Sequence, residues 1–163
     1  MVSYLRLSQS NAEHFSMFCQ VFRMAPSYIY ASEGHVPTED ELRAMYNTSA
    51  PGVGTDDIFI CGLFSNERLC GCSFVVRHYP KADTAYLVLL LLGEQTQNQG
   101  IGASVIRKIA EEARTWGCNK VAAVVDSAND HALRFWKRAG FQVMFTKELK
   151  GMVGNAVGIE REA

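Results

Sequence analysis

Apolar residues recur at helical spacing in some segments of the chain and form short continuous runs in others, and the two patterns predict different elements. Helices are predicted over residues 12–22, from Thr38 onward, over residues 101–116 and from Asn129 onward. Ser8 or Ser10 could cap the first, and Thr38 with Glu41 predicts a capping box for the second. Strands are predicted at residues 4–7, 58–64, 69–79, 86–92, 120–125, 142–149 and 154–160. The resulting order, β-α-α-β-β-β-α-β-α-β-β, predicts an α/β fold built on a mixed sheet.

The stretch from residue 86 to residue 116 joins a predicted strand to a strongly amphipathic predicted helix. Its apolar run, YLVLLLL, is much shorter than the about 20 residues that span a membrane, so it is interpreted as a strand buried on both faces. A polar turn follows, and Gly100-Ile101-Gly102 opens the helix. The first N–H groups of a helix have no partner within it, and the helix dipole adds positive charge there. Because glycine lets an anion approach the backbone closely, this arrangement predicts a phosphate site.

Two patterns of phosphate-binding residues can be compared with this turn. A dinucleotide fold would show G-x-G-x-x-G, but Val105 stands where the third glycine belongs, although Asp126 supplies a later acidic residue. The other pattern is Q-x-x-G-x-G, which begins at Gln97, followed by N-x-x-A-x-x-F-W-x-x-x-G-F, which runs from Asn129 to Phe141. Together these segments resemble the pyrophosphate loop and the second signature of the GNAT superfamily of N-acetyltransferases.

The resemblance covers residues 86–141 and implies a GNAT-like acyl-CoA acyltransferase fold, with residues 1–163 forming one domain. It also implies that acetyl-CoA or coenzyme A is the co-substrate and that the acetyl group passes directly to a primary amine of a small molecule or peptide. Two alternatives stay open. The chain could be a non-catalytic module that binds or senses acyl-CoA, or it could be a dinucleotide-binding enzyme.

The resemblance assigns cofactor-binding roles to particular positions. Backbone groups of Leu90, Leu91 and Leu92 would bind the pantetheine arm as an added strand. Asn129 would contact this arm or cap its helix, and Phe135 and Trp136 would line both the core and the cofactor. Lys137 or Arg138 could meet the ribose phosphate, or each could be a solvated helix charge. The diphosphate would be bound by the N–H groups of Gln97, Asn98, Gln99, Gly100, Ile101, Gly102 and Ala103.

The catalytic acid and base are not identified by these motifs. Many members of the superfamily carry a proposed tyrosine acid where this chain has Trp136, whose indole N–H is no practical acid. Tyr86, Glu94 and Asp126 are candidates for the base. Each also has a plain structural interpretation: packing for Tyr86, a solvated turn for Glu94 and the ordering of a turn for Asp126.

The acceptor site is expected at residues 26–37, PSYIYASEGHVP, because this loop often walls that site in the superfamily. Its candidate side chains are Tyr28, Tyr30, Glu33 and His35. The aromatic rings, with the Asp56-Asp57 pair, hint at a cationic or aromatic amine. A homodimer is also implied by the family analogy.

Composition narrows the class of protein further. The 163 residues carry a formal net charge of −1, and neither a basic run nor a Lys/Arg-rich amphipathic helix indicates a nucleic acid or membrane partner. The first ten residues lack the layout of a signal peptide. The five cysteines include no C-x-x-C motif, so reduced thiols in the cytoplasm are predicted. Cys70 and Cys72 are expected to share one strand face, but no metal site is predicted because further ligands are missing.

Overall fold

The helices and strands follow one another in the predicted order. The computed structural model describes residues 1–27, 29, 34–48 and 50–163. Its strands and α-helices are β1 (Val2–Arg6), α1 (Ala12–Arg23), α2 (Glu39–Tyr46), β2 (Ile58–Ser65), β3 (Arg68–Arg77), β4 (Thr84–Leu92), α3 (Ile101–Thr115), β5 (Lys120–Asp126), α4 (Asp130–Arg138), β6 (Gln142–Lys147) and β7 (Ala156–Glu162). The mixed α/β fold predicted from the sequence is therefore confirmed.

All seven strands belong to one sheet, in the order β1-β2-β3-β4-β5-β7-β6. β4 and β5 run parallel, as the intervening helix α3 predicts, and every other neighbouring pair is antiparallel. β7 inserts between β5 and β6, so the last strand of the chain lies inside the sheet and β6 lies at its edge. Among the described residues, no helix is long and apolar enough to cross a lipid bilayer.

Two hydrophobic clusters cover the two faces of the sheet. One contains the buried residues of α1 and α2, including Phe18 and Tyr46. The other contains the buried residues of α3 and α4, including Val105 and Trp136. Phe141 folds back on Trp136, with ring centroids 5.0 Å apart in an edge-to-face arrangement. The site described below lies between α3, α4 and the sheet.

Two β-bulges change which face a side chain meets. The register between β2 and β3 shifts at Leu63, which leaves Cys70 as an extra residue on β3. Cys70 consequently packs in the α3/α4 cluster and Cys72 in the α1/α2 cluster, so the prediction that they share one face is wrong. The second shift leaves Val88 as an extra residue on β4.

The helix caps agree with the sequence in two of three cases. Thr38 and Glu41 form the predicted capping box of α2, and the Asn129 side chain accepts from the N–H of Ala132 at the start of α4. Helix α1 is capped by Asn11, not by Ser8 or Ser10. Asn11 directly precedes the helix, so its Oδ1 reaches the N–H groups two and three residues on, at 2.9 and 3.2 Å.

Candidate active site

A gap opens in the sheet between β4 and β5. These strands pair at only three positions, the last of which joins Tyr86 to Ala122. Beyond that position β5 stays paired with β7 as far as Asp126, and β4 stays paired with β3 as far as Leu92. Residues 87–92 therefore present one backbone edge to the gap without a neighbouring strand.

The bulge on β4 lies at the narrow end of this gap. Val88 follows the last β4–β5 pair by two residues and is 42% exposed, although its strand was predicted to be buried on both faces. The bulge also reverses the alternation of the strand: Ala85 and Leu87 face the α3/α4 cluster before it, and Leu90 and Leu92 face that cluster after it. Leu90 and Leu92 thereby point toward α4.

Helix α3 begins with unpaired backbone donors at the wide end of the gap. Gly100 occupies the N-cap position with φ +78°, and no side chain caps the helix. Among the described residues, no protein acceptor is bonded to the N–H groups from Gln97 to Ala103. A Cβ on Gly100 would meet nothing within 4 Å, so the space beside this glycine is open. Open donors at a helix start are what an anion site needs, and the anion site itself stays a prediction.

Polar side chains of the β4–α3 connection hold its backbone in place. Gln97 donates from Nε2 to the carbonyl oxygen of Leu92 at 3.0 Å, and Thr96 donates to that of Gly93 at 2.9 Å. Gly93 in turn donates from its N–H to the carbonyl oxygen of Cys70 at 2.8 Å. The Gln97 side chain thus supports the connection, while its own N–H is left open with those that follow.

A cavity of about 400 Å³ connects the start of α3 with the gap in the sheet. Its walls are the end of β4, the first turn of α3 with the preceding loop, and one face of α4. The lining residues are Leu90, Leu91, Leu92, Gln97, Asn98, Gly100, Gly102, Ala103, His131, Ala132, Phe135, Trp136, Arg138 and Ala139. An apolar trough with unpaired N–H groups at one side suits a ligand with an uncharged arm and an anionic portion.

Most residues predicted to bind a cofactor line this cavity, but three do not. Ile101 is 8% exposed and packs in the core, and Gln99 donates from its side chain to the carbonyl oxygen of Gln95. Asn129 caps α4 and lies outside the cavity wall. The sequence did not identify His131, Ala132 or Ala139 as cavity residues, and it named Arg138 only as an alternative to Lys137, which does not line the cavity. Positions 131, 135 and 138 recur at helical spacing and could have marked this face.

The three candidates for the base have different surroundings. Asp126 accepts N–H bonds from Ala128 and Gly154 at 2.9 Å and from Val153 at 3.1 Å, so its carboxylate orders the turn after β5. Glu94 is exposed and accepts from the N–H of Ser27 at 2.7 Å.

Tyr86 is the third candidate and is half-buried. Burial and the neighbouring Tyr79 raise the pKa of its phenol, so the phenol keeps its proton at neutral pH and is not available to accept one from the amine. The rings of the two tyrosines meet edge to face, with centroids 5.6 Å apart. Trp136 is buried between Phe135 and Phe141 and offers no acid, as its indole predicts.

The predicted acceptor loop is only partly described. Tyr28, Tyr30 and Glu33 lie outside the described residues, and Nε2 of His35 is within hydrogen-bond distance of Oε2 of Glu41, at 3.1 Å. Asp57 pairs with Arg77 at 2.6 Å. A second cavity, of about 510 Å³, lies near the ends of β1 and β2 and includes Arg6, Ser8 and Asp56 among its walls.

Comparison with known proteins identifies one matching family model and several solved structures with a similar fold. Residues 20–141 match the model of the acetyltransferase (GNAT) family. No curated protein matches. An acetyltransferase from Thermus thermophilus is 22% identical, with a TM-score of 0.82, over 100% of this chain and 97% of that one. The PaiA N-acetyltransferase from Thermoplasma acidophilum, solved with coenzyme A, is 19% identical, with a TM-score of 0.73, over 100% and 99%. A spermidine N-acetyltransferase chimera of SpeG from Vibrio cholerae and hSSAT is 13% identical, with a TM-score of 0.74, over 99% and 95%.

Proposed function

Because the chain belongs to the GNAT family of acetyltransferases, which use acetyl-CoA, we propose that it moves the acetyl group directly to a primary amine of a small molecule or peptide. One observation carries the proposal. The β4–β5 ladder stops after three pairs, and the cavity beyond it ends at a helix start whose N–H groups are open. A thioester on a long arm with a diphosphate at its far end matches this arrangement in both shape and charge.

The cofactor is proposed to lie along β4 as a partial extra strand. Its diphosphate would accept from the N–H groups between Gln97 and Ala103, where the dipole of α3 adds positive charge. The pantetheine amides would bond to backbone groups of Leu90 to Leu92 in the gap. The thioester would then reach the narrow end of the gap, close to the exposed bulge at Val88.

Direct transfer needs one bond to form and one to break. The nitrogen of the neutral amine attacks the thioester carbon, the C–S bond breaks, and the sulfur leaves as a thiolate that takes up a proton. The amine loses a proton to a base or to water. Trp136 cannot supply the proton for the thiolate. Tyr86 is proposed as the donor, because its phenol stays neutral and it stands at the last β4–β5 pair, where the thioester is expected.

The acceptor is proposed to be a primary amine that can reach the thioester at the narrow end of the gap. The carboxylate of Asp57 is already paired with Arg77, so the Asp56-Asp57 pair supplies less free negative charge than its sequence indicates. The similarity to a spermidine N-acetyltransferase chimera suggests polyamines as one panel of test acceptors. Small peptides with free N-termini form the second panel.

The five cysteines are free and four are buried, which supports the proposed cytoplasmic location. The homodimer stays a prediction, which the mass of the protein in solution would test.

A thiol-release assay with acetyl-CoA and amine panels tests the function, and a Gly100→Glu variant tests the site. A glutamate there would place a negative charge in the open space before the α3 N-terminus, and we expect coenzyme A affinity to fall by about ten-fold or more. Gly52→Glu is the matched control, because Gly52 has φ +79° and equally open surroundings. Coenzyme A affinity equal in both variants would overturn the proposed site. Binding without release of thiol for any amine would favour the non-catalytic module.

A further inference from the structure

Beside the gap, one side of the sheet lies outside both hydrophobic clusters of the described residues. The α1/α2 cluster lies over β2, β3 and β4, and none of its described residues belongs to β5, β6 or β7. On β5, residues 121, 123 and 125 pack in the α3/α4 cluster, so Ala122 and Val124 point to the opposite side. This side of β5, β7 and β6, which borders the gap, is termed the open face.

The floor of the open face is made of short side chains, and one aromatic ring stands on it. The strand register sets Val124 beside Gly158 on β7, and Gly158 beside Phe145 on β6. A Cβ on Gly158 would collide with three carbons of the Phe145 ring, so the ring lies over β7, on the side toward the gap. The residue is 45% exposed. Adjacent strands are about 4.8 Å apart, so only the width of β5 separates the ring from the gap.

The proposed proton donor, Tyr86, faces the same side of the sheet. Its neighbours Ala85 and Leu87 pack in the α3/α4 cluster, so the Tyr86 side chain points to the opposite side. Its partner on β5 is Ala122, which belongs to the open face. On the other side of the gap, helices α3 and α4 form walls of the cofactor cavity. An amine therefore reaches a thioester in the gap from the open face, close to the proposed donor.

Charged groups around the ring favour an acceptor whose body is uncharged. Nζ of Lys147 lies 5.3 Å from the centroid of the Phe145 ring, so the ring already has a cation beside it. Glu160, two positions along β7 from Gly158, pairs with Lys120 at 3.5 Å. A second positive charge on an acceptor would therefore be repelled by Lys147 and would find the nearby carboxylate already paired.

We infer that the acceptor is a primary amine with an aromatic group, which packs on the Phe145 ring while the nitrogen reaches the gap. The inference rests on the proposed function and names its substrate class. Paired aromatic rings have centroids about 4.5–7 Å apart, so an acceptor ring above Phe145 is separated from the gap by β5 alone. A short alkyl linker then brings the nitrogen to the thioester. Small aromatic amines and peptides with an N-terminal aromatic residue share this chemistry, whereas a polyamine has a second positive charge in place of the ring.

Thiol-release kinetics with acetyl-CoA and two amines tests the inference on the whole protein. We expect kcat/KM for 2-phenylethylamine to exceed that for spermidine by about ten-fold or more, and Phe145→Ala to remove most of this advantage by raising the KM for the aromatic amine. Val143→Ala is the matched control. Val143 is similarly exposed on β6, at 48%, but its partner Ile159 packs in the α3/α4 cluster, so Val143 lies on the other side of the sheet. A dipeptide with an N-terminal phenylalanine distinguishes a peptide terminus from a small amine.

Calorimetry gives a second measurement that needs no turnover. Phe145 lies outside the cofactor cavity, so coenzyme A should bind Phe145→Ala as tightly as it binds the unaltered protein, which also shows that the fold is retained. 2-Phenylethylamine is then titrated into each protein saturated with coenzyme A. Its affinity should fall by about ten-fold in Phe145→Ala and stay unchanged in Val143→Ala. Phe145→Leu, which keeps an apolar side chain over Gly158, replaces the alanine variant if that variant does not fold.

Two results would overturn the inference. One is an equal kcat/KM for 2-phenylethylamine and spermidine in the unaltered protein. The other is an affinity for 2-phenylethylamine that is too weak to measure in the unaltered protein or that Phe145→Ala leaves unchanged. Neither result contradicts the proposed function as long as some amine releases thiol. Conversely, loss of amine binding in Phe145→Ala without release of thiol by any amine would support the aromatic site and contradict the proposed transfer.

Discussion

The ring of Phe135 lies so close to Gly102 that a Cβ on that glycine would stand 2.9 Å from Cζ of the ring. The second glycine of the turn is therefore required by a contact between α3 and α4. The first, Gly100, has open space around it and is required by its backbone conformation, φ +78°. The two glycines of one motif thus serve different purposes: Gly100 allows the left-handed backbone conformation at the N-cap of α3, and Gly102 allows the Phe135 ring of α4 to pack against α3.

Gly102→Ala should impair cofactor binding more than stability. Alanine favours the helix by about 1 kcal/mol over glycine, which offsets much of the strain, but the Phe135 ring must move and it lines the cavity. We expect the KM for acetyl-CoA to rise by about ten-fold, equivalent to about 1.4 kcal/mol, with little change in melting temperature. Adding Phe135→Leu should recover part of the loss by making room. An unaltered KM in the single variant would show that the ring can move without consequence.

Asp126→Asn should lower stability more than it lowers the rate of transfer. The carboxylate accepts from three backbone N–H groups, and an amide would turn a donor toward at least one of them. We expect a loss of about 1–3 kcal/mol in the free energy of unfolding, measured with urea. Glu94→Gln serves as the comparison, because Glu94 accepts a single N–H bond at the surface. A large fall in kcat with unchanged unfolding would instead identify Asp126 as a base.

Trp136→Tyr and Trp136→Phe form a pair that isolates the effect of a hydroxyl. Both substitutions remove part of a buried indole whose ring centroid lies 5.0 Å from those of Phe135 and Phe141. The two variants should therefore lose a similar amount of folding stability. If the position lies near the leaving sulfur, the tyrosine variant should exceed the phenylalanine variant in kcat by about ten-fold or more. Equal kcat values would mean that the thiolate does not need an acid from this helix. Single-turnover rates would provide the cleanest comparison.

Tyr46 should make the protein more sensitive to alkali. Burial raises the pKa of its phenol from 10.0 to about 12, while its hydroxyl donates to the carbonyl oxygen of Ser8 at 2.6 Å. Between these pH values the Tyr46 phenol is ionised in the unfolded chain but protonated in the folded protein. Its contribution to the free energy of unfolding is therefore complete below pH 10 and is lost as the pH rises toward 12. Tyr46→Phe removes this dependence. The stability gap between the two proteins should shrink by about 1.4 kcal/mol per pH unit above 10.

Urea unfolding at pH 8, 10 and 11 would measure that gap. Burial also raises the pKa values of the Cys61 and Cys72 thiols, but these act equally in both proteins and cancel in the difference. A gap that stays constant with pH would contradict the prediction.

The features that could be predicted from the sequence are those set by residues close together along the chain. The order of elements, the capping box at Thr38 and the open turn before α3 all follow from residues a few positions apart. The bulge at Val88 could not be seen, because an unbroken apolar run carries no alternation that an extra residue would disturb.

Contacts between distant residues set the remaining features. The turn ordered by Asp126 involves Gly154, which lies 28 residues later, and the position of β7 beside β5 depends on similarly remote pairing. Arg138 lines the cavity and Lys137 does not, although the two are neighbours in sequence. The sequence could therefore propose Lys137 and Arg138 together, whereas only the fold separates them.

The opening between β4 and β5 also bears on aggregation. Unpaired strand edges recruit other polypeptides, and proteins usually protect them with prolines or charges, neither of which occurs in residues 87–92. Here the gap is protected because Phe135 and Trp136 form one wall of the cavity beside it. We expect a misfolded chain, which carries side chains on both its faces, to be too thick to enter. A slender arm that carries amides but almost no branches can enter, and the same backbone groups that would be a hazard at the rim of the sheet become a receptor within it.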